Sequence, residues 1–105
     1  MKLVFLLYLE DDDRLVREQL DLIGVRVFSA LPLEGHGTGG SGWYGDVAPY
    51  RSRMVFAAVS DEEATTLLEV VRTWPVGQDP SHPIRAFRVN IEEAVTQVTT
   101  PGGSS

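Results

Sequence analysis

Six glycines fall within eleven residues near the middle of this chain, at positions 35, 37, 39, 40, 42 and 45. No helix or strand tolerates that density, because glycine loses more conformational freedom on ordering than any other residue. The stretch Glu34 to Ser52 must therefore be a long connection, and it divides a 105-residue chain into two halves. Connections longer than about 12–15 residues are uncommon inside compact domains and are usually functional or disordered. Trp43, Tyr44 and Tyr50 are scattered through this one. Aromatic side chains on a mobile, polar backbone suit a segment that orders on contact with a partner.

Each half repeats the same succession of elements. Leu3 to Leu9 (LVFLLYL) is a continuous apolar run rich in β-formers, the pattern of a strand buried on both faces. Asp11, Asp12 and Asp13 follow, and Asp12 or Asp13 is placed to cap a helix and complement its dipole. Capping and solubility explain this trio more simply than metal binding or catalysis. Val16, Leu20 and Ile23 recur at helical spacing with Leu15 and Leu22 beside them, and Gly24 suits the C-cap. Val25 to Leu33 reads as a second strand, and Pro32 places it toward a sheet edge.

Beyond the long connection, Arg53 to Val59 reads as a third strand. Ser60-Asp61-Glu62-Glu63 is a capping box, with Ser60 as cap and Glu63 reaching back. Ala64, Leu67, Leu68 and Val71 mark the buried face of a second helix, which Trp74-Pro75 ends. Val76 to Pro83 is a second loop, Ile84 to Ile91 a fourth strand, and Glu92 to Val95 the start of a short helical turn. Thr99 to Ser105 is a Gly/Ser/Pro tail expected to be disordered.

The order strand–helix–strand, loop, strand–helix–strand is the split βαβ pattern. It implies an α+β, ferredoxin-like βαββαβ domain over residues 1–98, with the long loop at 34–52 and the tail at 99–105. Right-handed crossovers put both helices on one face of a four-stranded antiparallel sheet. The other face, equally apolar, then calls for cover by self-association.

Composition narrows the function classes. The net charge is −6 and the pI about 4.7, which argues against nucleic-acid binding, where neutralised phosphates supply most of the affinity. There is no cysteine, hence no disulfide framework, thiolate zinc site or cysteine nucleophile. The apolar start is only about nine residues long and runs straight into acidic residues. It is neither a signal peptide nor a membrane span, so the expected location is cytoplasmic.

Candidate chemistry is sparse. No nucleophile elbow, HExxH or phosphate-loop lysine motif is present, and no acid–base constellation stands out, so the expected class is not an enzyme. His36, in Gly35-His36-Gly37, and His82, in Ser81-His82-Pro83, lie in the two loops, which this fold can bring to one edge. A metal site of His36 and His82, completed by Glu34 or Asp46, is one reading; two solvent-exposed histidines is the simpler one. Arg51, Arg53, Arg85 and Arg88 flank the long loop and the last strand and suit phosphate or carboxylate. Strand alternation sends Arg85 and Arg88 to opposite faces. Pairing with surface carboxylates is the competing account of all four.

Three segments together resemble the PII signal-transduction superfamily. Leu33-Glu34-Gly35-His36-Gly37 is similar to the GxG that opens the family's long T-loop. Arg53-Met54-Val55-Phe56-Ala57-Ala58-Val59 is similar to the strand that leaves it, and Val89-Asn90-Ile91-Glu92-Glu93-Ala94-Val95 to a Val-x-x-Glu-Glu-Ala-Val segment near the C-terminus. The resemblance spans roughly residues 2 to 98. It departs at Val76 to Pro83, where the family's phosphate-gripping lysine loop has no counterpart, and no tyrosine stands in the family's uridylylation setting.

The resemblance implies a divergent, regulatory PII-like protein. It would be a homotrimer with inward-facing sheets, binding a small effector, possible adenine nucleotides included, in clefts between subunits. Gly35, His36, Gly37 and Arg53 of one subunit and Arg85 or Arg88 of a neighbour would hold the effector. The long loop, with Trp43, Tyr44, Tyr50 and Arg51, would contact a membrane transporter or an enzyme. Two alternatives stand beside this: a metal-binding protein of metal tolerance, similar to PII-like and CutA-like proteins and using His36 and His82, and a ligand-free interaction domain.

Overall fold

A strand that is apolar on both sides belongs in the middle of a sheet, and that is where Lys2–Leu9 (β1) lies. A computed structural model describes residues 1–36, 50–73 and 83–97. After β1 come a single 3-10 turn, Glu10–Asp12, then Asp13–Ile23 (α1), Ser29–Gly35 (β2), Tyr50–Val59 (β3), Asp61–Arg72 (α2) and Arg85–Asn90 (β4). The four strands form one sheet in the order β2-β3-β1-β4, antiparallel throughout. This is the expected ferredoxin-like α+β fold.

Register sorts the β1 side chains. Val4, Leu6 and Tyr8 point to the helix face, where they join Val55, Ala57 and Val59 of β3, Val16 and Leu20 of α1, and Ala64 and Leu67 of α2 in one buried cluster. On the opposite face Leu3, Phe5 and Leu7 align with Ala58, Phe56 and Met54 of β3 and with Val89, Phe87 and Arg85 of β4. Leu31 of β2 extends the Leu7–Met54 row. The Phe5 and Phe56 rings pack at 6.2 Å between centroids. Among the described residues no helix covers this second face, and at its rim Phe87 and Val89 are 47% and 46% exposed. Side chains of this size normally gain about 1.5–3 kcal/mol each from full burial, and roughly half of that is left unrealised at this rim among the described residues.

The helix signals act largely as expected. Gly24 takes the left-handed conformation, φ 94°, and its N–H bonds the Leu20 and Asp21 carbonyls, closing α1. The Ser60 hydroxyl accepts the Glu63 N–H while the Glu63 carboxylate accepts the Ser60 N–H, completing the capping box of α2. The α2 helix ends at Arg72; Trp74 and Pro75 lie outside the described residues.

Several expectations are corrected. Neither Asp12 nor Asp13 caps α1 through its side chain: Asp12 occupies the cap position without a side-chain capping bond, and Asp13 is drawn into longer-range contacts described below. Leu22 does not support the buried helix face; it is 77% exposed. Val25–Phe28 is not strand, and β2 runs from Ser29 through Gly35. Val25 instead turns into the core just after the helix cap, 4% exposed, which breaks the apparent alternation. β3 begins at Tyr50 rather than Arg53. Both strands thus reach further into the 34–52 stretch than composition suggested, because cross-strand pairing at Glu34–Arg51 and Gly35–Tyr50 holds the ends together. Residues 92–95 form no helical turn. The glycine-rich segment 37–49, most of the second loop (74–82) and the tail expected at 99–105 lie outside the described residues. Among the described residues no helix is long and apolar enough to cross a membrane.

Leu20 is 1% exposed at the centre of the helix–sheet contact. Leu20→Ala is expected to lower unfolding free energy by about 2–5 kcal/mol, measured by urea denaturation, whereas Leu22→Ala should change it by less than about 0.5 kcal/mol.

Candidate functional site at the end of the sheet

The end of the sheet where β1 runs out and β2 and β3 project toward the long connection is braced by one carboxylate. Tyr8, fully buried on the helix face, donates its hydroxyl to Asp13 Oδ1 at 2.6 Å, five residues ahead across the β1–α1 junction. Arg17, one turn further along α1, donates from Nε to Asp13 Oδ2 at 2.8 Å. Arg53, which faces Tyr8 across the β1–β3 ladder, places its Nε 3.2 Å from Asp13 Oδ1. Asp13 therefore ties β1, α1 and β3 together. Arg17 also lies over the Phe28 ring, 5.6 Å from its centroid, and so joins the approach to β2.

The network shifts its members' acidities in consistent directions. Burial, then the bond to Asp13 and that group's charge, lift the Tyr8 hydroxyl far above the usual phenol range. Burial pushes Asp13 up, but the bonds from Tyr8 and Arg17 and the charges of Arg17 and Arg53 outweigh it and hold the carboxyl below its ordinary value. The bond to Asp13 raises Arg17 against a smaller opposing effect of burial. Both Tyr8 and Asp13 lay unmarked in the sequence as functional groups: Tyr8 sits inside an apolar run and Asp13 inside an acidic one.

Beside this brace is a cleft of about 490 Å³ lined by Glu10, Pro32, Leu33, Glu34, Tyr50, Arg51 and Ser52. Gly35 is required at its rim. The Tyr50 ring lies across the Gly35 backbone, and a Cβ added at Gly35 would fall inside that ring. His36 bonds Glu34 through Nε2 at 2.8 Å. Arg51 is 89% exposed, with its nearest guanidinium nitrogen 4.0 Å from Glu10.

The residues singled out from sequence are thus distributed unevenly. Gly35, His36, Tyr50 and Arg51 gather at the cleft. Arg53 lies on the helix face against Asp13. Arg88 is also on the helix face, opposite Val4 at the other end of β1, and donates to the Thr65 hydroxyl of α2 at 3.1 Å. Arg85 lies opposite Leu7, on the uncovered face. One chain therefore does not bring Arg53, Arg85 and Arg88 together. Gly37, Trp43, Tyr44 and His82 lie outside the described residues. Among the described residues no group of three or more His, Cys, Asp or Glu side chains could hold a metal ion.

Comparison with known proteins identifies the fold. No protein-family model matches the chain, and no curated protein matches it significantly. Solved structures do. A protein from Thermus thermophilus described as a PII-like signaling protein superposes with a TM-score of 0.62 at 20% identity, over 86% of this chain and 85% of that one. CPII from Thiomonas intermedia, a nitrogen regulatory PII-like protein bound to ADP, AMP and bicarbonate, superposes with a TM-score of 0.59 at 19% identity, over 90% of this chain and 94% of that one. Its apo form gives a TM-score of 0.55 at 19% identity, over 86% and 89%. At these identities the likeness establishes the fold, which is that of PII-like signalling proteins.

Two outcomes test the geometry of this region. Asp13 has a folded pKa below the unfolded value of about 3.9. Its contribution is therefore fully present above that value and is lost as the pH falls through the folded one. Asp13→Asn should cost about 1–3 kcal/mol at pH 7, and the gap from the native protein should narrow below about pH 4; a gap independent of pH would contradict the network. Gly35→Ala should destabilise the native protein in thermal unfolding but have a smaller effect in a Tyr50→Ala background, because the three atoms nearest the new methyl group all belong to that ring.

Proposed function

We propose that this chain is a non-enzymatic, PII-like regulatory protein of the cytoplasm. It binds an adenine nucleotide in clefts between the subunits of a homotrimer and acts on a target protein, such as a transporter or an enzyme, through the connection between β2 and β3. The domain runs over residues 1–98, and Trp43 and Tyr44 of the connection supply the contact with the target. The observation that carries this reading is the superposition, over 90% of the chain, on a PII-like protein bound to ADP and AMP.

Two physical features support it. Among the described residues no helix covers the sheet face bearing Leu3, Phe5, Leu7, Met54, Phe56, Phe87 and Val89, and an apolar surface of this kind is normally an interface. The arginines also favour a shared site. Arg85 is on the uncovered face while Arg53 and Arg88 are on the helix face, so a phosphate group that engages Arg85 together with Arg53 must draw them from different subunits. Gly35, His36 and Gly37 complete the proposed effector site at the root of the connection.

Isothermal titration of the full chain with ATP, ADP, AMP and cyclic adenine nucleotides tests this reading. At least one nucleotide is expected to bind with measurable heat and to raise the thermal midpoint, as any ligand selective for the native state does. Arg85→Ala should weaken that binding by about tenfold or more, in keeping with loss of a charge-assisted contact to phosphate. Absence of both heat and thermal shift with every nucleotide would overturn the nucleotide assignment.

A further inference from the structure

The two outer strands of the sheet are unfinished in complementary ways. Among the described residues β2 pairs only with β3, and β4 only with β1. An edge strand presents a row of backbone donors and acceptors, which proteins commonly blunt with proline or charge. Pro32 and Glu34 blunt the far part of the β2 edge, but residues 27–31 contain neither proline nor a charged side chain. Val27, just ahead of β2, is 87% exposed.

Register brings the two edges level. Ser29, Phe56, Phe5 and Phe87 form one row across all four strands, and Leu31, Met54, Leu7 and Arg85 form the next. Phe28, Ala30 and Ala86 pack against the helix-face core, so alternation leaves Val27, Ser29 and Leu31 on the uncovered side with Phe87 and Val89. Phe5 and Phe56 at the centre of this face are partly buried, whereas Val27, Phe87 and Val89 at its two edges are exposed. Three antiparallel steps separate β2 from β4, so the two strands run in opposite directions. A second copy set edge to edge therefore continues each row in antiparallel pairing. Phe87 of one copy meets Ser29 of the next, and Val89 meets Val27.

Charge selects opposite edges over like ones. Two β4 edges would bring Arg85 and Arg88 of both copies together, and like charges across a sheet are destabilising. Against residues 27–31 these arginines meet an uncharged stretch. Glu92 and Glu93, exposed just beyond β4, then approach Arg26, whose side chain is 79% exposed and lies 3.9 Å from Asp21.

We propose that copies of this chain join head to tail, the outer edge of β4 in one copy adding as a strand to residues 27–31 of the next. The proposal rests on the self-association read above and specifies its contact: two different edges meet, rather than two open faces stacking on each other. Closure of such a chain of copies into a ring turns the uncovered faces inward.

The chain contains no cysteine, so introduced thiols report without background. Val27→Cys and Val89→Cys are made separately and together in the full chain, treated with a short bis-maleimide and run on denaturing electrophoresis. Each single variant alone is expected to stay at the mass of one chain, because equivalent residues do not meet in a head-to-tail junction. The two single variants coexpressed with different tags should give a covalent pair containing one of each, and the double variant a ladder beyond two chains. Native protein supplies a measurement free of substitutions. In the assembly, the outward amides of residues 27–31 and 85–90 should exchange with solvent about tenfold or more slowly than the exposed amides of residues 92–97. A single variant that cross-links to itself, a coexpressed pair that does not cross-link, or edge amides that exchange as fast as those of 92–97 in a protein that sediments as an assembly would each overturn the junction and leave self-association standing. A native chain that sediments as a monomer would overturn both.

Discussion

The position of β1 governs this molecule. It is hydrogen-bonded on both edges, to β3 and β4, and it is apolar on both faces. One face is answered within the chain by α1 and α2. The other, continued by Met54, Phe56, Phe87 and Val89, has no covering helix among the described residues. A sheet with one wet face normally alternates apolar and polar side chains; this one does so only weakly. The sequence commits hydrophobic residues to a surface that no helix among the described residues covers.

The second organising element is local. Tyr8 belongs to the helix-facing set of β1, and burying its ring requires a partner for its hydroxyl, because an unsatisfied buried polar group costs about 1–3 kcal/mol. Asp13 supplies that partner, and the guanidinium groups of Arg17 and Arg53 satisfy Asp13 in turn. The β1–α1 junction, the approach to β2 and the start of β3 are thereby fixed against one another. The cleft at the sheet end inherits its shape from this brace, since Ser52 and Arg51 lie one and two residues before Arg53.

The parts legible in the sequence were those set by local rules. The apolar run of β1, Gly24 as C-cap, the Ser60–Glu63 capping box and Pro32 on an edge strand all express constraints that act within a few residues. The opposite facing of Arg85 and Arg88 followed from strand alternation and holds in the sheet. What was not legible depends on partners distant in sequence. Asp13 looked like a helix cap because its hydrogen bond from Tyr8 and its ion pair with Arg53 exist only once β1, α1 and β3 are packed. The start of β2 was misplaced because Val25 is apolar for the sake of the core, not of a strand. Tyr50 and Arg51 looked like loop residues because the pairing that makes them strand lies across from Glu34 and Gly35. The cleft went unseen because its lining is assembled from three separate segments.

The central claim is that the open face of the sheet is a subunit interface. Sedimentation equilibrium of the full chain tests it most directly, with Phe56→Glu as the comparison, since Phe56 lies in the middle of that face. The account predicts a native particle of three times the 11.6 kDa chain mass, and a smaller one when Phe56 is charged. A native protein that remains monomeric as its concentration is raised would contradict it.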